Sequence, residues 1–245
     1  MKSRTLISLF SQVARNTQAK EWLRICTVVV TSLGLSQTLS AQTKYEVTDL
    51  GVLQGGGSVA HGINDHTGVV GFAGFPVHAF LWRSGKIVDL GTLGGPWSTG
   101  WSINNSGEVA GAAELPQTQD IRRLCQDADL SGAHVCRAFL WRDGVLKDLG
   151  TFGGMNSVAF CINDRHEVVG VADMPDSVNA FIWEGGSLKD LGTPRGIDSA
   201  GHAINNRGQV AIDAHISRVV NPKPGEPDYH AFLWDRGIFT DLGTL

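Results

Sequence analysis

Cysteine is scarce in this 245-residue chain: there are four, Cys26, Cys125, Cys136 and Cys161, and none stands in a pair at metal-site spacing, which excludes a zinc knuckle or ribbon. Positive charge is also short. Lys and Arg number 20 against 24 Asp and Glu, a net charge of −4, so the chain lacks the basic footprint that nucleic acid requires. No apolar run is long enough to span a bilayer: the longest, Ile25 to Leu35, is about half of the roughly 20 residues needed, so no stable membrane span is expected. The sequence has no Gly-x-Ser-x-Gly elbow, no His-Glu-x-x-His and no calcium loop of alternating Asp, which removes the common signatures of serine hydrolases, zincins and EF-hands. Nothing in it asks for a cofactor.

What is plentiful is glycine. Its 31 residues, with 8 Pro and 42% hydrophobic content, favour many short elements joined by tight turns, an all-β globular chain. The first 41 residues differ in kind. Lys2, Arg4, Arg15, Lys20 and Arg24 precede "ICTVVVTSLGL", and polar "SQTLSAQ" follows with a small residue at Ala41. This is the layout of a secretory signal peptide, cut after Ala41, and it places the protein outside the cytoplasm, secreted or periplasmic. The remaining chain carries 15 basic and 23 acidic residues, a net −8. In an oxidising compartment Cys125 and Cys136, which bracket "CQDADLSGAHVC", are expected to close that loop as a disulfide.

Self-similarity is the strongest signal. A first strand ends in Ile-Asn four times: "SVAHGIN", "STGWSIN", "SVAFCIN" and "SAGHAIN". A Val-rich strand follows: "VVGFA", "VAGAA", "VVGVA", "VAIDA". The third strand, "HAFLW", "RAFLW", "NAFIW", "HAFLW", ends at Trp82, Trp141, Trp183 and Trp234, and the fourth ends Asp-Leu-Gly, with Asp89, Asp148, Asp190 and Asp241. The units run over 58–91, 98–150, 157–192 and 199–243, and "YEVTDLG" at 45–51 reads as an extra fourth strand. Asn-Asx turns and Gly-containing turns join the strands as hairpins. Where Gly107 and Gly208 occupy one turn slot, the other units have Thr67 and His166, so those two turns are expected to be strained or shifted in register.

Four hairpin-linked strands make one antiparallel sheet per unit. The third strand is apolar on both faces, Ala79 and Leu81 opposite Phe80 and Trp82, so each sheet must be covered on both sides, and the next copy supplies the cover. The shortest Trp-to-Trp spacing, 42 residues, fits a four-stranded blade. The expected fold is a β-propeller or a propeller-like stack of four-stranded antiparallel sheets. An open ring would leave exposed sheet edges, which points to a homodimer.

The combined phrase, His-Ala-Phe-Leu-Trp followed by Asp-Leu-Gly-Thr-Leu-Gly-Gly and then by Ile-Asn, resembles the HAF repeat of extracellular bacterial proteins. The resemblance spans residues 45 to 245 and implies secretion and a repeat-built β structure, without implying a reaction. Arg137 and Asn179 replace the first His, and "TPRG" from Thr193 replaces Thr-Leu-Gly-Gly.

The two long insertions, Glu114 to Cys136 and His215 to Tyr229, fall at the end of the sheets that also carries the Gly-Gly linkers. Long loops on one face of a rigid scaffold are where binding residues concentrate. The sequence therefore suggests a non-catalytic extracellular binding module whose ligand is carbohydrate, with Trp97 and Tyr229 as stacking surfaces and Arg122 and Arg123 as anion contacts. The alternatives are a cell-envelope scaffold and a propeller-type hydrolase or lyase. Asp49 and its four equivalents recur in every copy and read as turn-capping residues. His61 and His202 hold equivalent places in the first strand, but no carboxylate follows at ligand spacing.

Overall fold

The computed structural model describes residues 45–116, 135–195, 198–216 and 229–243. It divides at Thr48: of the first unit only Tyr45–Thr48 are described, exposed and without strand, and Asp49 onward forms the second. Residues 1–41, read above as a signal segment, and Arg122, Arg123 and Cys125 lie outside the described residues. Among the described residues no helix is long and apolar enough to cross a membrane.

Among the described residues sixteen strands form four sheets, each an antiparallel meander in chain order. The first holds β1 (Ser58–Ile63), β2 (Val69–Ala73), β3 (His78–Arg83) and β4 (Lys86–Gly91); the second β5 (Ser98–Ile103), β6 (Val109–Glu114), β7 (Cys136–Arg142) and β8 (Val145–Asp148). The third holds β9 (Ser157–Ile162), β10 (Val168–Asp173), β11 (Val178–Glu184) and β12 (Ser187–Gly192); the fourth β13 (Ser199–Ile204), β14 (Val210–His215), β15 (Tyr229–Asp235) and β16 (Ile238–Asp241). Successive sheets stack face to face, with the first strand of each against the second and third strands of the sheet before it. The fold is an all-β, propeller-like stack.

One packing rule repeats at every junction. The Ile of the second, third and fourth Ile-Asn enters a socket made by the preceding sheet. Ile103 sits among Val70, Ala79, Leu81 and Leu90; Ile162 among Ala110, Ala138, Leu140 and Leu149; Ile204 among Val169, Ala180, Ile182 and Leu191. Phe and Trp of the third strand point the other way, toward the sheet before: Phe139 and Trp141 join the first junction, Phe181 and Trp183 the second. The two faces of "AFLW" thus serve two different neighbours, which is why both are apolar. Gly111 and Gly170 make room for the aromatic. A Cβ on Gly111 would lie 2.1 Å from the Thr99 carbonyl oxygen and 2.6 Å from the Phe139 ring, and one on Gly170 1.9 Å from the Val158 carbonyl oxygen.

Hydrogen bonds reinforce each junction. The Ser that opens each first strand accepts from the backbone of the sheet before and donates to it. Ser98 Oγ takes the Ala79 N–H at 2.8 Å and gives to the Gly91 carbonyl at 2.5 Å; Ser157 and Ser199 repeat this with Ala138 and Gly150, and with Ala180 and Gly192. At the opposite end the Asn of Ile-Asn folds its own turn. Asn64 Oδ1 accepts from the N–H groups of His66 and Gly68, while its Nδ2 donates to the Asn104 carbonyl at 2.9 Å; Asn104 reaches Asn163, and Asn163 reaches Asn205.

One expectation needs correction: Tyr45–Gly51 carries no strand. It keeps only the closing turn, with Asp49 Oδ1 capping the Gly51 N–H at 2.9 Å and the Ser58 hydroxyl donating to the Gly51 carbonyl. Thr67 and His166 adopt left-handed backbone, φ 61° and 66°, the strained form of the two expected, and the register holds: their strands pair at Ile63–Val69 and Ile162–Val168 as Ile103–Val109 and Ile204–Val210 do. The Asn side chain that ties each turn absorbs the strain that a slip would otherwise relieve.

Candidate functional site

The His that opens the third strand of the first sheet is a donor for the turn-capping Asp. His78 Nδ1 lies 2.9 Å from Asp89, whose Oδ1 accepts the Gly91 N–H at 2.8 Å; His230, Asp241 and Gly243 repeat the arrangement. These bonds hold the Asp241 carboxyl below the usual carboxylate range, the Gly243 N–H first and His230 next. Asn179 substitutes with its amide, donating to both oxygens of Asp190 at 3.0 and 3.1 Å. Arg137 turns instead to the Thr151 hydroxyl, and Asp148 keeps its cap on Gly150.

The first strands carry a second repeated feature. Each has a one-residue bulge against its neighbour, leaving His61, Trp101, Phe160 and His202 unpaired. A bulge re-aims the side chain it leaves out, and here the four rings form an arc along the innermost strands. His61 stacks on Trp101 with centroids 4.3 Å apart; Trp101 meets Phe160 edge-on at 6.1 Å, and Phe160 stacks on His202 at 5.5 Å. His61 and His202 are thus far along the arc from one another, and no cluster of three or more metal-ligating side chains occurs among the described residues.

The two ends of the sheets differ in chemistry. At the Asn-turn end equivalent positions repeat. Asp65, Asn105, Asp164 and Asn206 alternate acid and amide and bond in series: each backbone N–H donates to the side chain in the next sheet, at 2.8–2.9 Å. The Asn105 amide bridges both carboxylates, Asp65 at 2.9 Å and Asp164 at 3.2 Å, and these donors keep the Asp164 carboxyl low. Nearby, Glu108 is buried in the second junction. Burial raises its pKa, but bonds from His166, Asn104 and Arg142 outweigh burial, so the carboxylate stays ionised below its ordinary range.

At the linker end one slot holds a different pair in every sheet. Backbone bonds join Gly57 to Gly74, Trp97 to Glu114, Asn156 to Asp173 and Asp198 to His215. The scaffold is constant and the chemistry on it changes, as expected of a recognition surface. Between the third and fourth sheets this end opens into a cavity of about 650 Å³, lined by Asp173, Met174, Asp176, Asp198, His202, Asp213 and Tyr229 among others. The Tyr229 ring is half exposed and lies against His215, with centroids 3.7 Å apart. His215 Nδ1 is in turn 3.1 Å from the Asp198 carboxylate, so the aromatic surface is backed and held. His202 bonds Asp213 of the adjacent strand in the cavity wall. That bond raises the His202 pKa against the opposing effect of burial.

Among the described residues, Tyr229 is the one predicted binding residue that lines this cavity. Trp97 packs edge-on against Phe75 in the first linker, centroids 6.2 Å apart, and does not line it. Cys136 is disulfide-bonded and Cys161 is a free, partly buried thiol. Asp173, Asp198 and Asp213 escaped the sequence reading. Aligning the repeats position by position exposes Asp213, since its slot holds Phe72, Ala112 and Val171 elsewhere.

No family model matches the chain, and no curated protein does. Among solved structures it is similar to TolB from Acinetobacter baumannii, at 12% identity and a TM-score of 0.49, over 76% of this chain and 43% of that one. It is also similar to an acylaminoacyl peptidase from Pyrococcus horikoshii, at 13% identity and a TM-score of 0.44, over 76% of this chain and 27% of that one. The chain therefore spans less than half the length of either protein.

Proposed function

We propose that this is an exported, non-catalytic binding protein of the HAF-repeat kind, and that its ligand is a glycan taken in the cavity between the third and fourth sheets. The observation that carries the reading is the pairing of a held, half-exposed Tyr229 ring with Asp173, Asp176, Asp198 and Asp213 in one cavity. A pyranose has an apolar C–H face that lies on an aromatic ring and a rim of hydroxyl donors that seek acceptors; a tyrosine and several carboxylates supply both. The net negative charge of the chain favours a neutral or basic glycan over an anionic one.

A glycan array probed with the full-length chain tests this. Binding to a neutral or amino-sugar glycan is expected, weakened at least tenfold by Tyr229→Ala, equivalent to about 1.4 kcal/mol, and retained by Tyr229→Phe. An array without a hit, or a hit indifferent to Tyr229→Ala, overturns the assignment. The enzyme alternative rests on the His202–Asp213 pair at the same cavity. Turnover of pooled polysaccharides that disappears in His202→Ala would replace the binding reading with that one.

A further inference from the structure

Among the described residues the junction rule leaves one knob and one socket uncovered. Ile63 is 69% exposed, whereas Ile103, Ile162 and Ile204 are 7%, 5% and 8% exposed. At the other end of the stack the socket positions of the fourth sheet are Ala211, Ala231, Leu233 and Leu242. Ala211 and Ala231 are exposed, although their equivalents Val70, Ala110, Val169, Ala79, Ala138 and Ala180 are all at 0%, and Leu242 is 62% exposed against 6–8% for Leu90, Leu149 and Leu191. An exposed apolar face of this kind marks an association surface.

We infer that the two faces take each other: a second copy of this chain docks head to tail, its Ile63 entering the Ala211–Ala231–Leu233–Leu242 socket. Polar groups argue for a second copy rather than an unrelated partner. At the Asn-turn end two bonds of every junction run in chain order, the earlier sheet giving its Asn Nδ2 and Asx N–H to the later one. The fourth sheet therefore ends on donors, Asn205 Nδ2 and the Asn206 N–H. The first sheet begins on acceptors, the Asn64 carbonyl and the Asp65 carboxylate. The acid–amide alternation continues across the joint as well. Asn206 Nδ2 gives one hydrogen to Asp164 at 3.0 Å; its second is placed for the Asp65 of the next copy, as Asn105 serves two aspartates. The joint buries sheet faces, not the hydrogen-bonding edges that the sequence suggested. Such a contact joins unlike surfaces, so it either closes into a ring or extends as a filament. The Asp49–Gly51 turn already holds the Ser58 hydroxyl and competes with Gly243 of the incoming sheet for it.

Light scattering of the full-length chain across a hundredfold range of concentration, with Ile63→Asp, Leu233→Asp and an equimolar mixture of the two, tests the inference. Wild type is expected at or above the dimer mass at the upper end. Each variant alone is expected to be monomeric with an unchanged circular dichroism spectrum, because one face of every contact is spoiled. The mixture is expected to recover a 1:1 dimer and nothing larger, since one good knob and one good socket remain. A monomeric wild type, variants that associate as wild type does, or a mixture that stays monomeric overturns it. Ala231→Arg, at an exposed position, replaces Leu233→Asp if that variant does not fold.

Discussion

Ile162→Ala and Ile63→Ala change the same residue of the same repeat and should differ several-fold in cost. Ile162 is 5% exposed and fills the socket of Ala110, Ala138, Leu140 and Leu149. Truncation removes three carbons, about 2.4 kcal/mol of transfer free energy. The cavity left in a junction built largely of alanine cannot collapse fully, which brings the total to about 3–4 kcal/mol. For a folded unit of this size that is a fall in Tm of about 6–16 °C. Ile63 has most of its surface in water, so its truncation should cost less than about 1 kcal/mol. Urea and thermal unfolding followed by tryptophan fluorescence, at protein concentrations low enough to exclude self-association, reads both. An Ile162→Ala protein within about 0.5 kcal/mol of wild type, or an Ile63→Ala protein as damaged as it, refutes the knob-and-socket account of how the sheets stack.

Three further outcomes follow from the same structure. Trp141→Ala, at a 9% exposed position in the first junction, should cost about 3–5 kcal/mol, read by urea unfolding. Asn105→Asp replaces the amide that bridges Asp65 and Asp164 with a third carboxylate. It should cost about 1–3 kcal/mol at neutral pH; an unchanged Tm at pH 7 contradicts this. Burial pushes the Glu114 carboxyl up to about 7. The folded protein then holds a proton that the unfolded chain releases, so this group's contribution declines as pH rises from about 4.5 to 7 and is flat above. Glu114→Gln should remove that decline, measured as Tm against pH.

The repeat made most of the fold legible. Because each "AFLW" must be covered on both faces, the strands, their order within a sheet and the stacking of sheets all follow from the alignment of four copies. Residues 45–51 misled because Asp-Leu-Gly is the signature of a turn as much as of the strand before it: the turn needs only Asp49 and Gly51, while the strand needs a partner. The cavity was harder to see. Its walls come from Asp173 to Val178, Asp198 to His202, Asp213 and Tyr229, brought together only when the third and fourth sheets stack. Its aspartates are positions where one copy departs from the others, and a reading tuned to repetition passes over departures. Tyr229 was found because it ends an insertion. Trp97 shares its end of the sheets but packs against Phe75 beside the first linker and does not line the cavity.

The account turns on where a glycan binds, and the most direct measurement is an NMR titration of the ¹⁵N-labelled protein with the strongest ligand from the array. Shift changes confined to the backbone amides of Asp173, Met174, Asp176–Val178, Asp198–His202, Asp213 and Tyr229 are the predicted result. No shift at saturating ligand, or shifts centred on the Asn64–Asn104–Asn163–Asn205 turns at the opposite end, would contradict it.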